Sequence, residues 1–419
     1  MTFRHSALWQ FMQLVLLFSF ISSADAVERR RDQFVKAPGH YILPIPYRLP
    51  GVGEGFLVAG TVNNAHDSYT DYIGFALTGA IEGMGAIAKD IHLVERTLIA
   101  DVFLQRVSQA TVRNYNGRGM DTDPNDFVLL DMADAQYAAT RLTGTFFDRR
   151  FEIGGGAFKG ESRLDKIRDK DGNLIQDLSN TSTNEFYFYL ASMTLDLTDD
   201  YRDPRMGFRY KISRWWRDEV DSNASDFYQQ EHNITGYIPI GRISTLALNY
   251  FRSDAIVTRT GDTDLASVES RLGCDDPSLT AEQRTRCQQV ASNTVANNTY
   301  GTVGGIGGWS RLRSYPNDRF NGAHVLFYGA EFRWNLTEEF QPFDIGIAKD
   351  IRTGVQLAIF WETGTVADEK DKLGNIWKRS YGVGARMVTA SGLVIRGDIA
   401  SGDEGSELSV IVGYPWEGF

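Results

Sequence analysis

The residues best suited to chemistry sit in the stretch Gly304-Gly305-Ile306-Gly307-Gly308-Trp309-Ser310-Arg311-Leu312-Arg313-Ser314-Tyr315-Pro316. A guanidinium offers five N–H donors in a planar fork that matches a carboxylate. Arg313 carries one, flanked by Leu312, Ser314 and Tyr315. Glycines before it allow tight or left-handed backbone, and Pro316 then fixes a direction. Local composition leaves two readings open. The stretch is a solvated surface hairpin loop, or it folds back into the protein with Arg313 anchored to an inward-facing acid.

Other chemistries find little support. There are six histidines, and none has a zinc-ligand spacing such as His-Glu-x-x-His. No Gly-x-Ser-x-Gly elbow is present. Acidic pairs such as Asp403-Glu404 read as solvated turns. Cys274 and Cys287 lie close together in one polar stretch without a nearby histidine. They therefore read as a local disulfide of an exported protein rather than a metal site. No metal, cofactor or catalytic residue is expected, and a net charge of −11 argues against nucleic acid as a partner. An enzyme would need a site dispersed over many elements.

The elements that must position Arg313 are strands. Val355, Leu357, Ile359 and Trp361 alternate with Gln356, Ala358, Phe360 and Glu362. Leu326, Tyr328, Ala330, Phe332 and Trp334 alternate with Val325, Phe327, Gly329, Glu331 and Arg333. Tyr381, Val383, Ala385 and Met387 oppose Gly382, Gly384 and Arg386, and Arg396 and Asp398 share the inner face of the next segment. The last strand is expected to carry Leu408, Val410, Val412, Tyr414 and Trp416 on one face.

A period of two places large apolar groups on one side and charge on the other. Tryptophan and tyrosine at segment ends resemble the aromatic girdles of membrane barrels, and Glu331, Arg333 and Arg386 suit a hydrated lumen. Earlier candidate strands are Gly55–Asn63, a region within Asp71–His92, Thr97–Val112, Leu130–Phe147, Phe151–Arg163, Glu185–Thr198, Gly207–Arg217, Phe227–Ile240 and Thr245–Val257. The expectation is an all-β fold: a transmembrane antiparallel β-barrel of sixteen strands, with fourteen as the alternative. Between Thr258 and Thr299 one short helix is expected, with Thr280 and Gln283 at capping-box spacing.

The start of the chain reads as a secretory leader over residues 1–26. Arg4 and His5 precede the apolar run Phe11–Ile21, and Ala24-Asp25-Ala26 is a small-x-small cleavage site. Residues 27–50 read as a short periplasmic lead-in, and 51–419 as the barrel. The location expected is an outer membrane, with its lipid as the first partner.

From Gly304 onward the chain resembles the barrel portion of the BamA/TamA-type outer-membrane superfamily, also called the bacterial surface antigen family. Leu312-Arg313-Ser314-Tyr315 corresponds to that family's Val/Leu-Arg-Gly-Tyr/Phe loop, and Glu331-Phe332-Arg333 to its Glu-x-Arg strand. Phe360-Trp361-Glu362-Thr363-Gly364 stands where the family has Phe-x-Asp-x-Gly, and Gly382-Val383-Gly384-Ala385-Arg386 follows. Asp203-Pro204-Arg205 is similar to a mid-barrel element. Two departures are Ser314 in place of glycine and Glu362 in place of aspartate.

The resemblance implies that the glycine-rich loop enters the lumen and that Arg313 pairs with Glu362. It also implies that Tyr414, Trp416 and terminal Phe419 form a C-terminal strand signal. Family members that assemble or secrete proteins carry periplasmic POTRA domains, which residues 27–50 cannot hold. A periplasmic protein supplied in trans is the corresponding expectation. The function implied is outer-membrane protein insertion or transport across the outer membrane. The alternatives are a passive pore or small-solute transporter, and a barrel enzyme with a dispersed site.

Overall fold

The structure is a computed structural model, and it describes residues 33–34, 38–217, 221–337, 343–345, 348–351, 353–389 and 394–416. The expected leader (1–26) and Phe419 lie outside the described residues.

Sixteen antiparallel strands close into a barrel. They are β1 (Gly39–Leu49), β2 (Gly53–Asn63), β3 (Asp71–Gly79), β4 (Ile81–Val94), β5 (Leu98–Tyr115), β6 (Phe127–Phe146), β7 (Phe151–Arg168) and β8 (Asn184–Asp196). The ring continues through β9 (Gly207–Trp216), β10 (Asp226–Ile240), β11 (Ser244–Arg259), β12 (His324–Asn335), β13 (Thr353–Ala367), β14 (Lys378–Thr389), β15 (Val394–Gly402) and β16 (Gly405–Val412). A short strand, Leu174–Asp177, pairs only with the end of β7 and stands outside the ring.

Alternation explains which face goes where. On β13, Val355, Leu357, Ile359 and Trp361 are exposed, while Gln356, Ala358, Phe360 and Glu362 are buried. Ile359 is 63% exposed and Glu362 0%. Tyr381 and Val383 on β14 face out as well, with Arg386 buried. A soluble protein would hide the apolar face, whereas here the polar face is inside. An apolar outer wall is what a hydrocarbon surround requires, and closing the ring pairs backbone groups strand to strand around most of the circumference.

Two expectations about strand limits need correction. Strand β1 falls inside the stretch read as a lead-in, so the barrel begins at Gly39, and β1 pairs with β2 from Gly39↔Asn63 to Leu49↔Gly53. Pro44 and Pro46 disguise it, because proline is confined to sheet edges. At the other end, β16 stops at Val412. Gly413, at φ 108°, turns the chain inward, so Tyr414 and Trp416 are buried instead of continuing the strand.

The long connection after β11 carries two helices, α1 (Leu265–Leu272) and α2 (Ala281–Tyr300). The Thr280–Gln283 capping box is present, but α2 has 20 residues, longer than the short helix expected. At 1.5 Å per residue it spans about 30 Å. It crosses one mouth of the barrel. Arg286 bonds to Asn116 after β5, Gln283 Nε2 to the Ile175 carbonyl after β7 at 2.9 Å, and Asn298 Nδ2 to the Asn223 carbonyl after β9 at 3.0 Å.

Cys274 and Cys287 form a disulfide with Cα atoms 5.4 Å apart, tying the end of α1 to α2. In the chain-entropy view, closing a loop of this size contributes roughly 3 kcal/mol. That stabilisation is local to the helical connection, because both cysteines lie outside the ring.

Candidate functional site

The segment that runs from Val303 to Gly322 lies against the buried face of β12–β15. Its entry is shaped by Gly307 and Gly308, at φ 122° and 101°. A Cβ at Gly307 would sit 2.3 Å from the Pro316 carbonyl oxygen, so only glycine lets the two arms of the segment approach. The positive φ near the arginine falls on Leu312 (52°) and not on Ser314, so the serine departure leaves that backbone conformation accessible. The Ser314 N–H donates to Ser380 Oγ at 3.0 Å, and Tyr315 Oη donates to the Arg379 carbonyl at 3.1 Å. Burial pushes the Tyr315 phenol up to about 12, which keeps its proton in place as that donor.

Arg313 is 1% exposed and meets three acids from three strands. Its Nε donates to Glu362 Oε1 at 2.9 Å, Nη1 to Asp398 Oδ2 at 2.9 Å and Nη2 to Glu331 Oε2 at 3.1 Å. Its own backbone N–H reaches Glu362 Oε2 at 2.9 Å. The guanidinium also stacks 3.4 Å from the Phe360 ring centroid. This geometry uses the whole planar fork, which a lysine could not reproduce.

Glu331 is the hub of the cluster. Besides Arg313 it accepts from Arg333 Nε at 2.8 Å and from Arg386, whose Nη1 lies at 2.8 Å. Asp398 is shared between Arg313 and Arg396. Three carboxylates thus hold four guanidiniums, all 2% exposed or less. Buried charge of this density is tolerated only when each group is answered, and removing one member strands the others.

The inward turn at Gly413 brings the chain's end to the same acids. Trp416 Nε1 donates to Glu362 Oε1 at 2.9 Å. Its carbonyl accepts from Asn233 Nδ2 at 2.7 Å and Arg311 Nη2 at 3.2 Å. The indole lies flat on Gly329, where a Cβ would come within 2.6 Å of the ring. Tyr414 Oη donates to Asp203 Oδ1 at 2.5 Å, in the loop before β9, and Gln356 donates to the same oxygen at 2.9 Å.

Of the residues singled out from the sequence, Leu312, Arg313, Tyr315, Trp416, Glu331 and Glu362 lie in one buried region, Cys274 and Cys287 stand apart, and Phe419 lies outside the described residues. Sequence reasoning placed Asp398 and Arg396 on the inner face but did not join them to Arg313. It missed a second buried group, in which Arg149 bonds to Asp90 at 2.9 Å and Glu152 at 2.8 Å. Among the described residues no group of histidine, cysteine and acid could hold a metal ion.

A closed ring with an apolar outside and a charged inside defines an outer-membrane β-barrel. Its fold is similar to that of CdiB from Escherichia coli, at TM-score 0.50 and 9% identity over 90% of this chain and 62% of that one. BamA from Haemophilus ducreyi lacking POTRA domains 1–3 aligns at TM-score 0.48 and 10% identity, covering 90% of this chain and 70% of that one. CdiB from Acinetobacter baumannii gives TM-score 0.43 and 11% identity, over 91% of this chain and 60% of that one. The chain thus spans 60–70% of the length of these structures. No protein-family model and no curated protein matches the sequence.

Proposed function

We propose that this chain is an assembly or translocation barrel, which passes polypeptide into or across the outer membrane by opening the seam between β1 and β16. The observation that carries the reading is the pairing at that seam. Among the described residues its register consists of Arg48↔Val410 alone, whereas β1 and β2 pair along their full length. The sequence supplies a cause. In an antiparallel ladder, residues two apart direct their backbone groups to the same neighbour. Because the β1–β2 ladder runs unbroken through Pro44 and Pro46, both missing N–H groups fall on the edge facing β16. β16 is also the shortest strand of the ring, at 8 residues, below the roughly 9–11 needed to cross a bilayer.

A permanently open pore fits less well. The segment from Val303 to Gly322, read as folded into the lumen and held by Arg313 and Glu362, obstructs the interior, and α2 crosses one mouth. The resemblance adds a periplasmic protein in trans as the partner that presents the client.

The test locks the seam. The pair Arg48→Cys and Val410→Cys occupies directly opposed positions, where a disulfide is geometrically reasonable. In proteoliposomes, the reduced variant should accelerate insertion of a urea-unfolded eight-stranded barrel over empty vesicles. The oxidised form should lose most of that acceleration, and dithiothreitol should restore it. Equal rates in both forms would remove the seam from the mechanism, and a steady conductance from intact protein in planar bilayers would favour a pore.

A further inference from the structure

The outer wall of this barrel carries polar side chains at several places, and one group spans four neighbouring strands. On β9–β12, the residues that register and alternation direct outward include Arg214, Gln230, Asp254 and His324, which lie in one row across four strands. The row beneath holds Ile212, His232, Arg252 and Leu326, and the next holds Tyr210, Ile234, Tyr250 and Tyr328. The polar groups are joined to one another. Tyr210 Oη lies 2.8 Å from His232 Nδ1, Gln230 Nε2 lies 3.0 Å from His232 Nε2, and Arg214 Nη2 donates to Gln230 Oε1 at 3.2 Å. Arg252 Nε donates to Asp254 Oδ2 at 2.8 Å, and His324 Nδ1 lies 2.7 Å from the other oxygen.

Charged side chains on a lipid-facing wall are costly at the bilayer midplane and cheap near its surface. The tyrosines Tyr250 and Tyr328 just below the polar rows mark that surface. This is the end of the barrel with the longer connections, including the one that carries α1 and α2, and such loops face outward from the cell in outer-membrane barrels.

Above these rows an open cavity of about 490 Å³ is lined by Arg214, Trp216, Arg217 and Tyr228 together with Asp226. Asp226 is already answered by Arg259, at 2.6 and 3.0 Å. Among the described residues, Arg214 meets no carboxylate; its guanidinium rests 4.1 Å from the Tyr228 ring centroid. Trp216 stacks on Tyr189 with centroids 5.9 Å apart and forms an aromatic floor.

We propose that this cavity is a binding site for a phosphate-bearing lipid headgroup of the outer leaflet. Arg214 faces the phosphate, Gln230 orients Arg214, and Trp216 and Tyr228 pack against the sugar or glycerol and the first methylenes. Guanidinium forks suit phosphate oxygens, and indole and phenol rings favour the junction of headgroup and hydrocarbon. Neither the seam nor the Arg313 cluster is part of this site.

The experiment uses the full chain in a zwitterionic detergent, titrated with diphosphoryl lipid A and followed by native mass spectrometry. Wild type should retain the lipid. Arg214→Gln should weaken retention about fivefold, as expected for one partly hydrated phosphate contact. Arg48→Gln, a distant exposed change, should leave it unaltered, and every protein should keep its slower mobility on boiling as a sign of folding. Phosphatidylcholine should not compete. Unchanged retention in Arg214→Gln, or equal competition by phosphatidylcholine, would overturn the site. Retention lost equally to millimolar inorganic phosphate would reassign it to small anions and overturn the lipid proposal.

Discussion

Glu331→Gln should be the most damaging single substitution in the barrel wall. Arg313, Arg333 and Arg386 all donate to this one carboxylate. Among the described residues, Arg333 and Arg386 have no other acid. An amide keeps an acceptor but drops the charge, leaving four guanidiniums with two carboxylates. Breaking a buried pair costs about 3–5 kcal/mol because the partner stays charged and dry. Here two guanidiniums are stranded and a third loses one of its three acids. The variant should accumulate poorly in outer membranes, and its folded band in unboiled SDS should disappear at a much lower temperature than wild type. Glu54→Gln, which removes the exposed partner of Arg48, should change nothing measurable. If the two variants melted alike, the cluster would contribute no net stability.

Arg313→Ala should come second, with a more local effect. Asp398 keeps Arg396, and Glu331 keeps Arg333 and Arg386. Glu362 is left with the Trp416 indole and a backbone N–H. The expected loss is about 3 kcal/mol, the lower end for a buried pair with surviving partners. It should appear as new protease cleavage between Val303 and Gly322, while export and membrane level stay close to wild type. Arg313→Lys should recover little, because one ammonium cannot meet three carboxylates in a plane. Glu362→Gln should open the same segment less. The double variant should be less damaged than the sum of the singles, which is the signature of direct coupling. A wild-type digestion pattern in Arg313→Ala would return the segment to a solvated hairpin.

Much of this fold is legible in the sequence because period-two alternation depends on local order alone. β13 and β14 show it cleanly, and the burial of Glu362 and Arg386 follows from parity. Parity names a face but not a partner. That Arg313 touches Asp398 as well as Glu362 depends on ring curvature and on the path of the segment after α2, which no local pattern carries. Asp90 shows another limit. It sits at φ 55° where the β4–β5 register shifts, so the bulge resets the alternation that would have placed it opposite Arg149.

The two ends of the ring escape local sequence rules for opposite reasons. Pro44 and Pro46 made a true strand look like a linker. Tyr414 and Trp416 extend the strand pattern past its real end, and the marks of the turn are Gly413 and Pro415. Both departures fall at the seam, where local rules and the final structure part company.

The seam carries the proposed function, and hydrogen exchange on the full chain in lipid nanodiscs tests it most directly. The β1 amides that face β16, and the β16 amides that face β1, should exchange at least about tenfold faster than those of the β5–β6 ladder, reflecting local opening without global unfolding. Replacing Pro44 and Pro46 by valine should restore donors on that edge and slow the exchange. Uniform protection around the whole ring, unchanged by the valines, would contradict an opening seam and with it the proposed function.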